Sequence, residues 1–135
     1  MKLTPGGDGR RPVFLLLTGD FALAARLQGR FAARLGARLL WCASLRDVRA
    51  NLDLETPVAL LVEVSRRSRR MLQVLGALAE RHPILAITRP DDDLLRQRCL
   101  AAGARFAMPR LDANEEPLLD VAAGLLSSPD PCCPV

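Results

Sequence analysis

The stretch that decides the fold is LLVEVSRRSRR, residues 60–70. Its first half is a continuous run of aliphatic and β-branched residues, which is typical of a strand buried on both faces of a sheet. The run carries one carboxylate, Glu63, next to its end. Four arginines come next, at Arg66, Arg67, Arg69 and Arg70. The stretch therefore predicts a buried strand that brings one acid, and then a strongly basic loop, to one edge of a sheet.

Short apolar runs of the same kind recur along the chain, with amphipathic stretches between them. The predicted strands are residues 12–18, 37–43, 58–64, 84–88 and 105–108. The predicted helices are residues 21–36, 44–54, 68–81, 91–103 and a last one that opens near Asn114. In the first helix Leu23, Leu27 and Phe31 share one face, as in an amphipathic helix. Gly36 and Gly103 follow their helices at positions typical of C-caps.

Strands that alternate with helices predict an α/β fold. We expect a flavodoxin-like, doubly wound sheet of five parallel strands in the order 2-1-3-4-5, with helices on both faces. Residues 12–127 form this domain, between a flexible lead at 1–11 and a flexible tail at 128–135. In such sheets the site lies at the carboxyl ends of the strands. The side chains expected there are Thr18, Gly19, Asp20, Glu63, Thr88 and Arg110.

Four segments carry a resemblance to a known family: LLLTGDF (15–21), LLVEV (60–64), AIT (86–88) and GARFAMPR (103–110). Across about residues 12–127 the sequence resembles the receiver domain of bacterial response regulators, the CheY-like family. In that family an acidic pair ends the first strand and a phosphoacceptor Asp ends the third. A Ser or Thr ends the fourth strand and a Lys ends the fifth. The resemblance places Glu63 at the phosphoacceptor position and Thr88 at the hydroxyl position.

The sequence departs from the receiver pattern at each charged position. Thr18 and Gly19 stand where the acidic pair is expected, with Asp20 nearby, and Arg110 is the cation nearest to the lysine position. One displaced Asp and one Glu are a poor ligand set for Mg²⁺, which receiver phosphorylation requires. Glu63 is also longer than Asp by one carbon, about 1.5 Å, which disturbs in-line geometry. We therefore expect a degenerate receiver, or pseudo-receiver, without Asp phosphorylation, metal or cofactor.

Two interpretations of Glu63 stay open. It is either a permanent negative charge that pairs with Arg110 or Arg66 and hydrogen-bonds Thr88, or a solvated acid at a strand end. Two interpretations of the arginine loop also stay open. In the first it is an anion site, because arginines at a helix N-terminus attract anions. Arg66, Arg67, Arg69 and Arg70 would bind a nucleotide such as a cyclic dinucleotide, a nucleic-acid backbone or an acidic protein patch. The alternative is a solvated basic loop.

Composition limits the classes of partner. The 135 residues include four Phe, one Trp and no Tyr, which argues against a surface that stacks single-stranded bases. Residues 1–70 carry 13 basic and 6 acidic side chains, whereas residues 71–135 carry 6 and 9. An acidic partner would therefore meet the first half. The four cysteines fit no metal spacing, and the chain has neither a signal-peptide core nor an apolar run of about 18 residues, so we expect a cytoplasmic protein.

The functional prediction is a stand-alone regulator in bacterial signalling that acts through protein–protein contacts. Its expected partners are a regulatory protein and, by analogy with receivers, a second copy bound through the fourth helix, fifth strand and fifth helix. A nucleotide-binding regulatory module is the alternative. A nucleotide-cofactor enzyme is a more distant one, because Leu23 and Ala25 stand where a dinucleotide-binding turn needs glycines. We expect no enzyme, no membrane contact and no nucleic-acid partner.

Overall fold

The computed structural model describes residues 11–65, 68–111 and 114–127. The predicted tail at 128–135, almost all of the lead at 1–11, and Arg66 and Arg67 lie outside the described residues. The strands are β1 Val13–Leu17, β2 Arg38–Cys42, β3 Ala59–Val64, β4 Ile84–Thr88 and β5 Phe106–Pro109. The helices are α1 Phe21–Arg30, α2 Leu45–Leu52, α3 Arg69–Ala79, α4 Asp93–Ala102 and α5 Glu116–Ser127. Residues Phe31–Leu35 continue α1 as a π-helical segment.

The five strands form one parallel sheet in the order β2-β1-β3-β4-β5. The predicted fold class and strand order are therefore confirmed. β1, β3 and β4 are buried almost throughout, as their continuous apolar sequences predicted, because helices cover the sheet on both faces. β2 and β5 are the edge strands and are more exposed.

Two apolar clusters hold the helices to the sheet. Alternate strand residues point to opposite faces, so Phe14 and Leu16 belong to the cluster under α1 and α5, and Leu15 to the cluster under α2, α3 and α4. Phe14 packs edge-to-face against Phe31 with ring centroids 5.1 Å apart. Each fully buried Leu or Phe contributes about 1.5–3 kcal/mol of transfer free energy. Cys42 and Cys99 are buried here as small apolar side chains.

Polar caps fix the start of four helices at the rim where the strands end. The side chains of Asp20, Ser44, Ser68 and Asp92 each accept a hydrogen bond from the N–H three residues later. The predicted C-caps are also present, with φ of 60° at Gly36 and 124° at Gly103. A Cβ at Gly103 would come within 2.9 Å of the Cβ of Ala79, so α3 and α4 pack too closely there for a side chain.

No helix among the described residues is both long enough and apolar enough to cross a membrane. The longest α-helix among them, α5, has 12 residues, and α1 with its π-helical continuation spans 15.

Candidate functional site

Three strand ends bring the predicted site residues together at one rim of the sheet. Thr18 and Asp20 follow β1, Glu63 is the fifth residue of β3, and Arg110 follows β5. Because the strands are parallel, their carboxyl ends share an edge, and residues 45 or more positions apart in sequence come into contact. The sequence signal for this cluster was the position of each residue at a strand end.

The guanidinium of Arg110 bridges two carboxylates. Its Nη1 lies 2.8 Å from Oε2 of Glu63, and its Nη2 lies 2.6 Å from Oδ2 of Asp20. The backbone N–H of Arg110 also donates to the carbonyl of Thr88, at 2.7 Å, which anchors the residue to the end of β4. The ion pair expected between Glu63 and Arg110 is therefore present, and Asp20 is a second partner that the sequence did not assign to Arg110.

Thr18 closes this network from the other side. Its hydroxyl donates a short hydrogen bond to Oε1 of Glu63 and accepts one from the backbone N–H of Asp20 at 3.0 Å. Thr18 is buried, whereas Glu63 and Arg110 are about four-fifths buried. Both oxygens of Glu63 are thus engaged, one by a hydroxyl and one by a cation. Thr18, Asp20, Glu63 and Arg110 form a closed ring of contacts, here called the rim network.

Asp20 has two functions in this network. Its Oδ1 caps α1 by accepting from the N–H of Leu23 at 3.1 Å, while its Oδ2 pairs with Arg110. The hydrogen bond from Arg110 is the main cause that holds the pKa of Asp20 below its ordinary value, and the cap to Leu23 lowers that pKa further. The carboxylate is therefore charged at neutral pH and ties the start of α1 to the end of β5.

Thr88 is not part of the rim network, although we expected it to hydrogen-bond Glu63. Its hydroxyl accepts from Nη1 of Arg96 at 2.9 Å and donates to the carbonyl of Arg89 at 3.3 Å. The strand register gives the reason. Glu63 pairs with Ile87, and Thr88 pairs with Val64, so Thr88 and Glu63 point to opposite faces of the sheet.

Arg96 is a residue that the sequence did not single out. It donates to the carbonyls of Arg89 and Pro90, at 2.8 and 3.2 Å, and pairs with Asp93. These contacts, with the bond to Thr88, close the loop between β4 and α4. The sequence signal would have been its position three residues after Asp93 on α4, but nothing in the local pattern distinguishes it from other helix-surface arginines.

An aromatic pair lies beside the rim network. The indole N–H of Trp41 donates to the carbonyl of Thr18 at 2.9 Å, and its ring centroid lies 5.4 Å from that of Phe21. Gly19, between Thr18 and Asp20, is exposed and borders open space. Neither aromatic residue was predicted to lie at the site, because Trp41 belongs to an edge strand and Phe21 is the exposed first residue of α1.

The rim does not fit the Mg²⁺ ion that receiver phosphorylation requires. Mg²⁺ needs a near-octahedral set of oxygen ligands at about 2.0–2.1 Å. At this rim the carboxylates of Asp20 and Glu63 instead face the guanidinium of Arg110, and the second oxygen of Glu63 accepts from Thr18. Within residues 11–65, 68–111 and 114–127, no three His, Cys, Asp or Glu side chains form a metal-binding group.

The described part of the arginine loop does not converge on one point. Arg69 and Arg70 lie in the first turn of α3, after the N-cap Ser68, and both are exposed. Arg69 lines a groove between α3 and α4 together with Arg98, whereas Arg70 lines a groove between α2 and α3 together with Arg49. Consecutive helix residues point about 100° apart, which accounts for the separation.

A second charged cluster joins α1 to α5. Glu115, whose side chain is 5% exposed, lies 3.0 Å from Nη2 of Arg26 and 3.2 Å from Nε of Arg30. Glu116 pairs with Arg34 at 2.6 Å on the surface. The arginine face of the first helix is therefore neutralised by acids that the sequence places more than 80 residues away.

No protein-family model matches the sequence, and no curated protein is significantly similar to it. Solved structures match it well. The receiver domain of TorR, the response regulator of the TMAO respiratory system, gives a TM-score of 0.73 at 22% identity, over 86% of this chain and 98% of that domain. The Vibrio cholerae chemotaxis protein CheY4 gives 0.71 at 16% identity, over 86% and 99%. A Burkholderia multivorans response regulator gives 0.66 at 20% identity, over 89% and 98%. The chain therefore has the receiver fold, as its sequence predicted.

Proposed function

We propose that the chain is a cytoplasmic module of bacterial signalling that acts through protein contacts and is not switched by aspartate phosphorylation. The receiver fold that it shares with response regulators supports a signalling role. The observation that carries the phosphorylation-independent part is the position of Arg110 between Glu63 and Asp20. We propose no enzymatic activity for this chain.

The chemical argument rests on the two oxygens of Glu63. A phosphoacceptor carboxylate must present one oxygen to phosphorus in line with the leaving group, while Mg²⁺ neutralises the charge on the phosphoryl oxygens. Here one oxygen accepts from Thr18 and the other is paired with Arg110. Glu63 is thus a fixed negative charge with a fixed counter-ion, which supports the first of the two interpretations of this residue.

Acetyl phosphate provides the direct test of this proposal. The full chain is incubated with acetyl phosphate and Mg²⁺, and its intact mass is measured by mass spectrometry. A receiver with the usual aspartate serves as the positive control in the same buffer, and the Glu63→Gln variant serves as the negative control. We expect one added phosphoryl group on the control receiver and none on this chain. Phosphorylation at Glu63 or Asp20 would show that the proposal is wrong.

The exposed face of α4, β5 and α5 supports a second copy as one partner. β5 is an edge strand with an open hydrogen-bonding side, and Phe106 on it is 37% exposed. Leu100 on α4 and Leu111 after β5 are exposed too. Apolar side chains around an open strand edge favour association with another molecule.

Sedimentation velocity of matched variants tests this dimer. Phe106→Asp places a charge on the proposed interface. Leu54→Asp places the same charge outside it, on an apolar side chain after α2 that is 81% exposed. We expect wild type and Leu54→Asp to sediment as dimers and Phe106→Asp as a monomer. A monomeric wild type at high protein concentration would contradict the homodimer, although not the protein-contact function.

A nucleotide-binding module has weaker support. A dinucleotide would need several arginines around one point, and Arg69 and Arg70 line different grooves. Calorimetry with a cyclic dinucleotide distinguishes the two functions, with Arg69→Ala/Arg70→Ala as the control. We expect no heat from either protein. Saturable heat that the double variant abolishes would favour the nucleotide module instead. The turn between β1 and α1 does not support a dinucleotide-cofactor enzyme. Gly19 is the glycine of this turn, and a buried leucine, Leu23, stands where a dinucleotide-binding turn needs another.

A further inference from the structure

The helix α3 lies between two surface grooves, each of which is lined by two arginines. The groove between α2 and α3, here called the α2–α3 groove, has a volume of about 320 Å³. Its floor is aliphatic and its rims are basic: Leu45, Val48, Val74 and Leu78 form the floor, and Arg49 and Arg70 stand at the rims. The groove between α3 and α4 also has two arginines, but two aliphatic side chains line it, Leu72 and Ala102, against the four that form the floor of the α2–α3 groove.

The two rim arginines have a charge that the described structure does not neutralise. Arg49 and Arg70 are exposed, and no carboxylate among the described residues forms an ion pair with either of them. This contrasts with Arg26, Arg30 and Arg34 on α1, each of which pairs with Glu115 or Glu116. Basic side chains without an internal partner, on either side of an apolar floor, are complementary to a ligand with the opposite pattern.

We propose that the α2–α3 groove binds an acidic, amphipathic helical segment of a partner protein. Apolar side chains of that segment at positions i, i+3 or i+4, and i+7 would pack on Val74 and Leu78, as in other helix-in-groove complexes. Its Asp or Glu side chains would pair with Arg49 and Arg70, because a guanidinium binds a carboxylate through two parallel hydrogen bonds. The inference rests on the proposed protein-contact function and names the partner's chemistry.

The side chains on the floor of the groove favour a protein ligand over a nucleic acid. Both are anionic, but a single-stranded nucleic acid binds where aromatic rings stack on its bases. The floor is built from leucine and valine instead. The volume of the groove lies at the lower end of the range of about 300–1,000 Å³ for small-molecule pockets, which suits a few anchoring side chains. This face is also distinct from the α4–β5–α5 face proposed for a second copy.

Peptide display provides an unbiased test of the chemistry. A library of random peptides, each about 16 residues long to allow four helical turns, is selected on the immobilised full chain. The enriched peptides are then synthesised and their affinities measured by fluorescence anisotropy. We expect an excess of Asp and Glu, and Leu, Ile or Phe at helical spacing. Arg49→Glu and Arg70→Glu should each weaken binding about tenfold or more, since each reverses a rim charge.

Two further variants separate charge from shape. Arg105→Glu reverses an exposed arginine just before β5, away from the groove, and should change the affinity by less than about twofold. Ala77→Trp fills the groove at an exposed α3 position without changing the charge, and should abolish binding. Equal loss with Arg105→Glu would show that net charge, and not the groove, determines binding.

The remaining outcomes would overturn the inference. They are a selection that enriches no peptide, enriched peptides without acidic excess, or peptides that bind Arg70→Glu as tightly as wild type. A single-stranded oligonucleotide that binds tightly and is weakened by the same two variants would assign the surface to nucleic acid instead. Each of these results concerns the groove alone, because phosphorylation by acetyl phosphate is measured separately at the rim network.

Discussion

The guanidinium of Arg110 lies between two carboxylates that would otherwise repel each other at the rim of the sheet. Arg110→Gln removes this counter-ion and leaves Glu63 largely buried without it. We expect the free energy of unfolding to fall by about 1–3 kcal/mol, the range for a lost hydrogen bond to a charged group. Urea denaturation of wild type and variant measures it.

Two controls make that measurement specific. Arg110→Lys retains the charge but cannot bridge two carboxylates with one rigid fork, so its loss should be intermediate. Arg105→Gln removes an exposed arginine elsewhere on the molecule and should change stability by no more than about 0.5 kcal/mol. An Arg110→Gln variant as stable as Arg105→Gln would show that the rim network contributes nothing measurable.

The lowered pKa of Asp20 predicts how the stability of the fold depends on pH. The pKa of Asp20 is lower in the folded protein than its ordinary value of 3.8. The charged carboxylate therefore stabilises the fold above that ordinary value, and this contribution is lost as the pH falls through the folded-state pKa. Asp20→Asn keeps the helix cap, because Asn caps helices about as well as Asp, but removes the charge.

We expect the stability difference between wild type and Asp20→Asn to be constant above about pH 5 and to shrink as the pH falls below the ordinary pKa. Urea midpoints measured at intervals between about pH 7 and pH 3 test it. A difference that is as large at the acid end as at neutral pH would contradict the ion pair with Arg110.

Among single residues, the sequence could predict the contacts that follow from the position of a residue at the end of its strand. Glu63 and Arg110 were assigned to a common rim because each stands at the end of a parallel strand. The partner of Thr88 could not be predicted, because it depends on which face the side chain points to, and one residue of register reverses that. The hydrogen bond from Arg96 to Thr88 depends on how the loop between β4 and α4 turns, which the apolar pattern does not specify.

Among the elements, α1 and α5 share an apolar cluster and are also joined by one buried carboxylate. Glu115 lies just before α5 and pairs with Arg26 and Arg30 on α1. Glu115→Gln removes this charge from both arginines, whose side chains are 39% and 48% exposed and so remain in contact with water. We expect a loss of about 1–3 kcal/mol in unfolding free energy and faster amide hydrogen exchange in α5.

Glu116→Gln is the matched control for this cluster. Glu116 is the next residue and also pairs with an α1 arginine, Arg34, but it is 42% exposed. Exposed ion pairs contribute about 0–1 kcal/mol, so this variant should be close to wild type. If both variants lose the same stability, burial of Glu115 is not what makes the contact strong.

Strands and helices were predictable where the apolar pattern was strong. β1, β3 and β4 carry continuous apolar runs, and the order of the strands followed from their alternation with helices. The π-helical segment after α1 was not predicted, because apolar spacing over so few residues is similar in α- and π-helices. The helix ends differed by a few residues, as at α2, which ends at Leu52.

For the whole molecule, the rim network predicts that Mg²⁺ does not stabilise the fold. A ligand that binds only the folded state stabilises it by RT ln(1 + [L]/Kd), so the unfolding midpoint keeps rising with ligand concentration above Kd. Because Arg110 holds both carboxylates, about 10 mM MgCl₂ should give the same urea midpoint as NaCl of equal ionic strength. A midpoint that rises steadily with Mg²⁺ concentration, and not with NaCl of equal ionic strength, would show that the folded protein binds Mg²⁺.

The distribution of charge over the molecule differs from its distribution along the chain. The sequence indicated a basic first half, and this suggested that an acidic partner would meet that half of the chain. In the folded protein the arginines of α1 are paired with Glu115 and Glu116 from the second half. Arg49, Arg69 and Arg70 on α2 and α3 have no such pairing among the described residues, and they add positive charge to that part of the surface.

Trp41 gives the protein a built-in optical reporter. It is the one tryptophan in the sequence. Its indole N–H donates a hydrogen bond to the carbonyl of Thr18, and the hydroxyl of Thr18 contacts Glu63. Selective excitation therefore yields emission from a single ring beside the rim network. Any event that displaces the end of β1 would release the indole N–H to water and shift this emission to longer wavelength. The kinetics of unfolding, or of a partner reaching this rim, are thus measurable by stopped flow without attaching a dye.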